Sequence, residues 1–145
     1  MKRYIQPIAL FAALFLVLFV TGCGSDEPAV SEQERVAALL ESGVWKVATV
    51  KVDGVDKTSS FTGLTIDFNG TAFTTTNGKI VWPATGTWSF TNTEAKAFTR
   101  SDGVTVNIDQ VTDSNLGLTF TWATTTYGPG RVSSVAGSHA FTFTK

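Results

Sequence analysis

The chain of 145 residues contains one histidine and one cysteine, His139 and Cys23, so any reaction has few side chains to draw on. Nucleophilic catalysis needs a nucleophile, a base and a group to orient the base. A zinc centre needs clustered cysteine and histidine ligands. Neither set can be assembled here. Asp53 and Asp56 flank Gly54, but the alternating oxygen ligands and distal glutamate of a calcium loop do not follow. Paired carboxylates for glycoside hydrolysis would have to come from Asp67, Asp109 or Asp113. The first two point outward on their expected strands and the third lies in a turn. No phosphate-binding loop and no Gly-x-Gly-x-x-Gly after a strand is present. His139 shares parity with Phe141 and Phe143, which makes it a hydrogen-bonded residue near the end of a sheet. The expectation is a non-enzymatic protein without metal or cofactor.

Charge excludes one more class. Lys and Arg total 11 against 12 Asp and Glu, for a net charge of −1 and a pI near 5.7, which leaves no electrostatic footprint for nucleic acid.

Cys23 closes a different kind of segment. Lys2 and Arg3 make a positive start, and the apolar run from Ile8 to Val20 follows. As a helix that run would be about 20 Å long, short of the roughly 30 Å hydrocarbon core of a bilayer. It fits the apolar region of an export signal better than a permanent span. Val20-Thr21-Gly22-Cys23 resembles a bacterial lipobox. The resemblance implies cleavage between Gly22 and Cys23, with lipid on the Cys23 thiol and on its new amino group. Several chains on one residue fit the rule that stable anchoring takes more than one. With Cys23 so used, no disulfide is available.

Three parts follow: a lipoprotein signal peptide at 1–22, a lipid-anchored linker at 23–30, and one domain at 31–145. Asp26 and Glu27 mark the linker as solvated. Gly24–Val30 reaches roughly 23 Å when extended. The acidic pair resembles the signal that sends some Gram-negative lipoproteins to the outer face of the outer membrane, ordinary tether charge being the alternative. The expected location is therefore the cell envelope, on an outer-membrane lipoprotein held by lipid on Cys23.

The domain opens with a helix. Ser31-Glu32-Gln33-Glu34 matches a capping box, Val36, Leu39 and Leu40 share one face, and Gly43 is a natural stop. From Trp45 the pattern changes to period two, rich in Thr, Val, Phe and Trp. Eight strands are expected: Val44–Val52, Thr62–Phe68, Thr71–Thr76, Thr85–Thr91, Ala95–Arg100, Val104–Val111, Leu116–Thr124 and Ser138–Thr144. Asp53–Ser60 reads as a polar connection. Asn69-Gly70 reads as a type I′ turn, and Asp102-Gly103 as another hairpin turn. Trp45 and Val47 lie on one face of the first strand but Val50 and Val52 on the other, which a bulge would reconcile. A sheet of eight meandering strands would expose two long edges, and closure into a barrel removes them. The fold class is all-β: an eight-stranded antiparallel up-and-down barrel behind a short helix. About 120 residues suffice for one such core.

Gly43-Val44-Trp45 begins the first strand directly after the helix, and here the sequence resembles the lipocalins and the wider calycin group. More closely, the run from Gly43 to the end resembles the lipocalin-like domains of bacterial lipoproteins. Gly54-Val55-Asp56, Trp82-Pro83, Gly86-Thr87-Trp88-Ser89-Phe90 and Asp102-Gly103-Val104 carry that likeness. The resemblance implies that Gly43 and Trp45 close one end of the barrel. It also implies a basic residue over Trp45 near the last strand, for which Arg131 and Lys145 are candidates.

An eight-stranded barrel is just wide enough to be filled by side chains or to hold one small ligand. The expected inward residues are bulky, with Trp88, Phe98, Phe120, Trp122 and Phe141 among them. Both outcomes stay open. A barrel with a pocket would bind a small hydrophobic ligand, with Trp82, Trp122, Tyr127 and Arg131 as contact residues. A filled barrel would be an interaction module for an envelope protein or glycan.

Overall fold

The computed structural model describes residues 28–123 and 136–145. Helix α1 (Glu32–Leu40) starts from the expected capping box: Glu34 N–H donates to Ser31 Oγ at 3.2 Å, and Ser31 N–H donates to Glu34 Oε2 at 2.8 Å. Its buried residues, Val36 and Leu40, face the barrel, and Gln33 Nε2 donates to Asn92 O at 2.9 Å.

The strands are β1 (Trp45–Val52), β2 (Val55–Asp56), β3 (Thr65–Asn69), β4 (Ala72–Thr76), β5 (Thr85–Phe90), β6 (Ala97–Arg100), β7 (Thr105–Val111), β8 (Asn115–Trp122) and β9 (Gly137–Thr144). From β3 onward each strand pairs antiparallel with the next, and β9 returns to pair with β1 from Lys46↔Thr144 to Val52↔His139. The result is a closed eight-stranded antiparallel barrel.

The ninth strand lies outside the ring. β1 gives its N-terminal end to β3 through Trp45↔Ile66 and Lys46↔Thr65, and its C-terminal end to β2 through Lys51↔Asp56 and Val52↔Val55. Between these ladders a 3₁₀ turn (Thr58–Phe61) covers the edge of β1. Lys57 N–H donates to Val50 O at 2.8 Å, and Val50 N–H donates to Thr58 Oγ1 at 3.0 Å. No backbone group of Val50 is left bare, as burial demands.

The Asp53–Ser60 connection is therefore more structured than its polar composition suggests. Asp53 and Gly54 take φ of 50° and 80°, the positive pair that a type I′ turn requires. The type I′ expectation at Asn69-Gly70 is corrected. Asn69 stays in the ladder opposite Ala72, and Gly70 (φ 57°) is the first of the two central residues, the type II′ arrangement. Glycine takes that position without a Cβ clash, so the asparagine need not leave the strand.

The expected bulge is present in β1. Its register against β9 shifts between Val47 and Thr49, so Trp45 and Val50 are both fully buried in spite of opposite parity.

Inside, aromatic rings interlock. Phe68 meets Phe98 and Trp88 edge-on at 5.9 and 5.6 Å, and Phe120 stacks on Phe141 at 5.6 Å. Trp82 enters from the β4–β5 connection and meets Phe73, Phe120 and Phe141 edge-on at 6.1, 5.4 and 6.0 Å. Offset and edge-on contacts of this kind suit the ring quadrupoles. The centre of the barrel is filled.

Candidate binding site at the barrel rim

Strand direction defines two rims. At one, β1 begins and β9 ends; at the other, β8 ends at Trp122 and β9 begins at Gly137. The first rim carries α1 and Trp45. Trp45 is fully buried, and its Nε1 donates to Leu40 O at 2.8 Å. Lys145 Nζ lies 4.4 Å from the centre of the Trp45 ring and hydrogen-bonds Ser42 Oγ. Gly43 passes beside the Lys145 stem, where an added Cβ would sit 3.7 Å from its Cδ. Helix, lysine and tryptophan together seal this rim.

The second rim is open on one side. The β7–β8 ladder runs from Val111↔Leu116 to Asn107↔Thr119 and stops, although β7 begins at Thr105 and β8 continues to Trp122. The strands part there, around a cleft of about 550 Å³. Asp102, Asn107, Phe120, Thr121, Trp122 and Ser138 are among its lining residues.

Beneath the cleft lies a buried cation. The Arg100 side chain is fully buried, whereas that of Asp102 is 31% exposed. Arg100 grips Asp102 bidentately, Nε to Oδ1 at 3.1 Å and Nη2 to Oδ2 at 2.5 Å, and Nη1 donates to Val81 O at 2.9 Å. Its guanidinium carbon lies 4.6 Å from the centre of the Trp82 ring and 5.3 Å from that of Phe120. A planar, weakly hydrated guanidinium suits such a stacked, forked site. Partial burial pushes the Asp102 carboxyl up, but Arg100 and the Val104 N–H outweigh it and hold the carboxyl below its usual range.

His139 sits at the same rim, fully buried. Its ring stacks on Phe120 and Phe141 at 5.4 and 5.9 Å. Nδ1 lies 3.1 Å from Gly137 O, and Nε2 has no partner. Burial pushes the imidazole below its ordinary pKa, opposed by the Gly137 carbonyl and by the Asp53 carboxylate. The indole Nε1 atoms of Trp82, Trp88 and Trp122 are likewise buried without a partner.

Of the residues expected to contact a ligand, Trp122 lines the cleft, while Trp82 is 1% exposed and belongs to the ring network beneath it. Tyr127 and Arg131, and the lipidation residue Cys23, lie outside the described residues. Asp67 and Asp109 face outward on their strands, as expected. Among the described residues no group of three His, Cys, Asp or Glu could hold a metal ion, and no helix is long and apolar enough to cross a membrane.

Sequence reasoning passed over Arg100 and Asp102 as site residues, yet a signal was there. Arg100 has the parity of Phe98, which puts a cation on the core face, and a carboxylate follows two positions later. Comparison with protein-family models, curated proteins and solved structures finds no match.

Proposed function

We propose that this chain is a non-enzymatic, lipid-anchored protein of the cell envelope whose lipocalin-like barrel works as a binding module, contacting an envelope protein or glycan. The anchoring rests on the lipobox-like Val20-Thr21-Gly22-Cys23. The observation that carries the binding mode is the filled interior: Trp82 reaches in from the second rim and packs among Phe73, Phe120 and Phe141, so contacts are made outside that core. Trp45 under Lys145 supports the lipocalin-like reading, since that family places a basic residue over this tryptophan.

A second reading, a carrier of a small hydrophobic molecule, is favoured by the rim cleft and its Phe120 and Trp122. The full chain purified from host membranes tests both. Mass spectrometry of the N-terminal peptide is expected to show acyl chains on Cys23, and Cys23→Ser is expected to release the protein to the soluble fraction. An unmodified peptide still beginning at Met1 would overturn the anchoring. Cross-linking in intact cells to an envelope protein or glycan supports the module. A stoichiometric apolar molecule in native mass spectra would replace it with the carrier.

A further inference from the structure

We propose that the cleft between β7 and β8 is a binding site for a neutral saccharide; this rests on the reading of the barrel as a binding module and names its site and ligand class. The cleft, at about 550 Å³, falls in the size range of small-molecule sites, roughly 300–1,000 Å³. Its chemistry is mixed in a particular way. The half-buried Trp122 supplies aromatic surface, with the buried Phe120 behind it, and the Asn107 amide and the Thr121 and Ser138 hydroxyls supply hydrogen-bonding groups that no side chain or backbone group among the described residues occupies. The Trp122 indole Nε1 is buried without a partner. A buried donor left bare is destabilising, so a ligand oxygen that reaches it is favoured.

Charge narrows the ligand. Asp102 is the only charged residue among the described residues lining the cleft, and both of its oxygens are held by Arg100. Among those described residues no free cation remains to attract a phosphate or carboxylate, and no free carboxylate to attract an amine. An alkyl chain fits poorly as well. It would strip water from an amide and two hydroxyls without replacing any hydrogen bond, and would leave the indole N–H bare. A sugar ring offers what the lining lacks: a face of C–H groups to lie on an aromatic ring, and hydroxyls that donate and accept around its edge.

The test uses the full chain in a zwitterionic detergent without a sugar headgroup. Saturation-transfer NMR and titration are run with glucose, galactose, N-acetylglucosamine, maltose and cellobiose. Glucuronate, octanoate and a Val-Thr-rich pentapeptide are run beside them. At least one neutral sugar is expected to receive saturation. Its affinity is expected to fall tenfold or more in Asn107→Ala. In Trp122→Phe, which keeps an aromatic ring and removes the N–H, it is expected to fall about fivefold. Thr74→Ala, on the outer face of β4, is expected to leave it unchanged. The assignment is overturned if every neutral sugar is silent, if only glucuronate, octanoate or the peptide binds, or if Asn107→Ala leaves sugar binding intact. Silence of the sugars while an envelope partner still cross-links to the chain would remove this site and leave the module standing.

Discussion

The two rims of the barrel both carry tryptophan and a cation, arranged in opposite ways. At the helix rim the indole N–H of Trp45 is satisfied by Leu40 O, and the cation over it, Lys145, stays exposed. At the other rim the cation, Arg100, is buried, and the indole N–H groups of Trp82 and Trp122 have no partner. The first arrangement leaves no obligation unmet and is what a permanent seal requires. The second leaves two donors bare, and one of them belongs to Trp122, which lines the cleft; on the proposed reading this is the rim that binds.

The comparison can be broken by truncating each seal. Trp82→Ala removes the ring on which Phe73, Phe120, Phe141 and Arg100 all rest. Its expected cost is about 3–5 kcal/mol, the usual range for deleting a buried tryptophan, read from urea unfolding. Arg100→Met comes next. It leaves Asp102 without its partner, but that carboxylate reaches water, so roughly 2 kcal/mol is expected, below the range for a fully buried broken pair.

The third effect is a slope rather than a step. His139 is the only imidazole in the chain and titrates below its ordinary value of 6.5 because it is buried. As the pH falls through the ordinary value, the unfolded chain takes up a proton that the folded chain refuses. Stability therefore drops on acidification and is regained above that pH. Thermal unfolding followed from pH 7.5 to 5.5 is expected to show Tm falling in the native chain and a flatter profile in His139→Phe. Lys145→Ala at the opposite rim is the smallest effect, about 0.5–1 kcal/mol for an exposed cation over a ring, with no change in the pH profile. A loss at Lys145 as large as at Arg100 would erase the distinction between the rims.

The barrel itself was legible because alternation is a strong signal wherever one face is buried. Ile66 and Phe68, Val106, Leu118 and Phe120, and Phe141 and Phe143 all point inward as their spacing requires. The phase break in β1 was legible for the same reason, since Val50 could be buried with Trp45 only across a bulge. The turns were less legible: the hairpin at Asp53-Gly54 lay hidden in a polar connection and Asn69-Gly70 took another type than expected, because turn type depends on which residue stays paired and a dipeptide does not reveal that. The site was harder to read. Trp82 sits in a connection with Pro83, where composition says loop, and its burial is decided by rings from β4, β8 and β9. The cleft depends on where the β7–β8 ladder stops, a feature of two strands together that neither strand's pattern contains.

One consequence follows from the way β9 returns to β1. The chain enters the ring at the Trp45 rim, directly behind α1, and leaves it at the same rim through Lys145. If the proposed lipid on Cys23 suspends the chain from its leading end, the body would hang with Lys145 nearest the bilayer and its parted strands facing away, toward whatever the aqueous side presents.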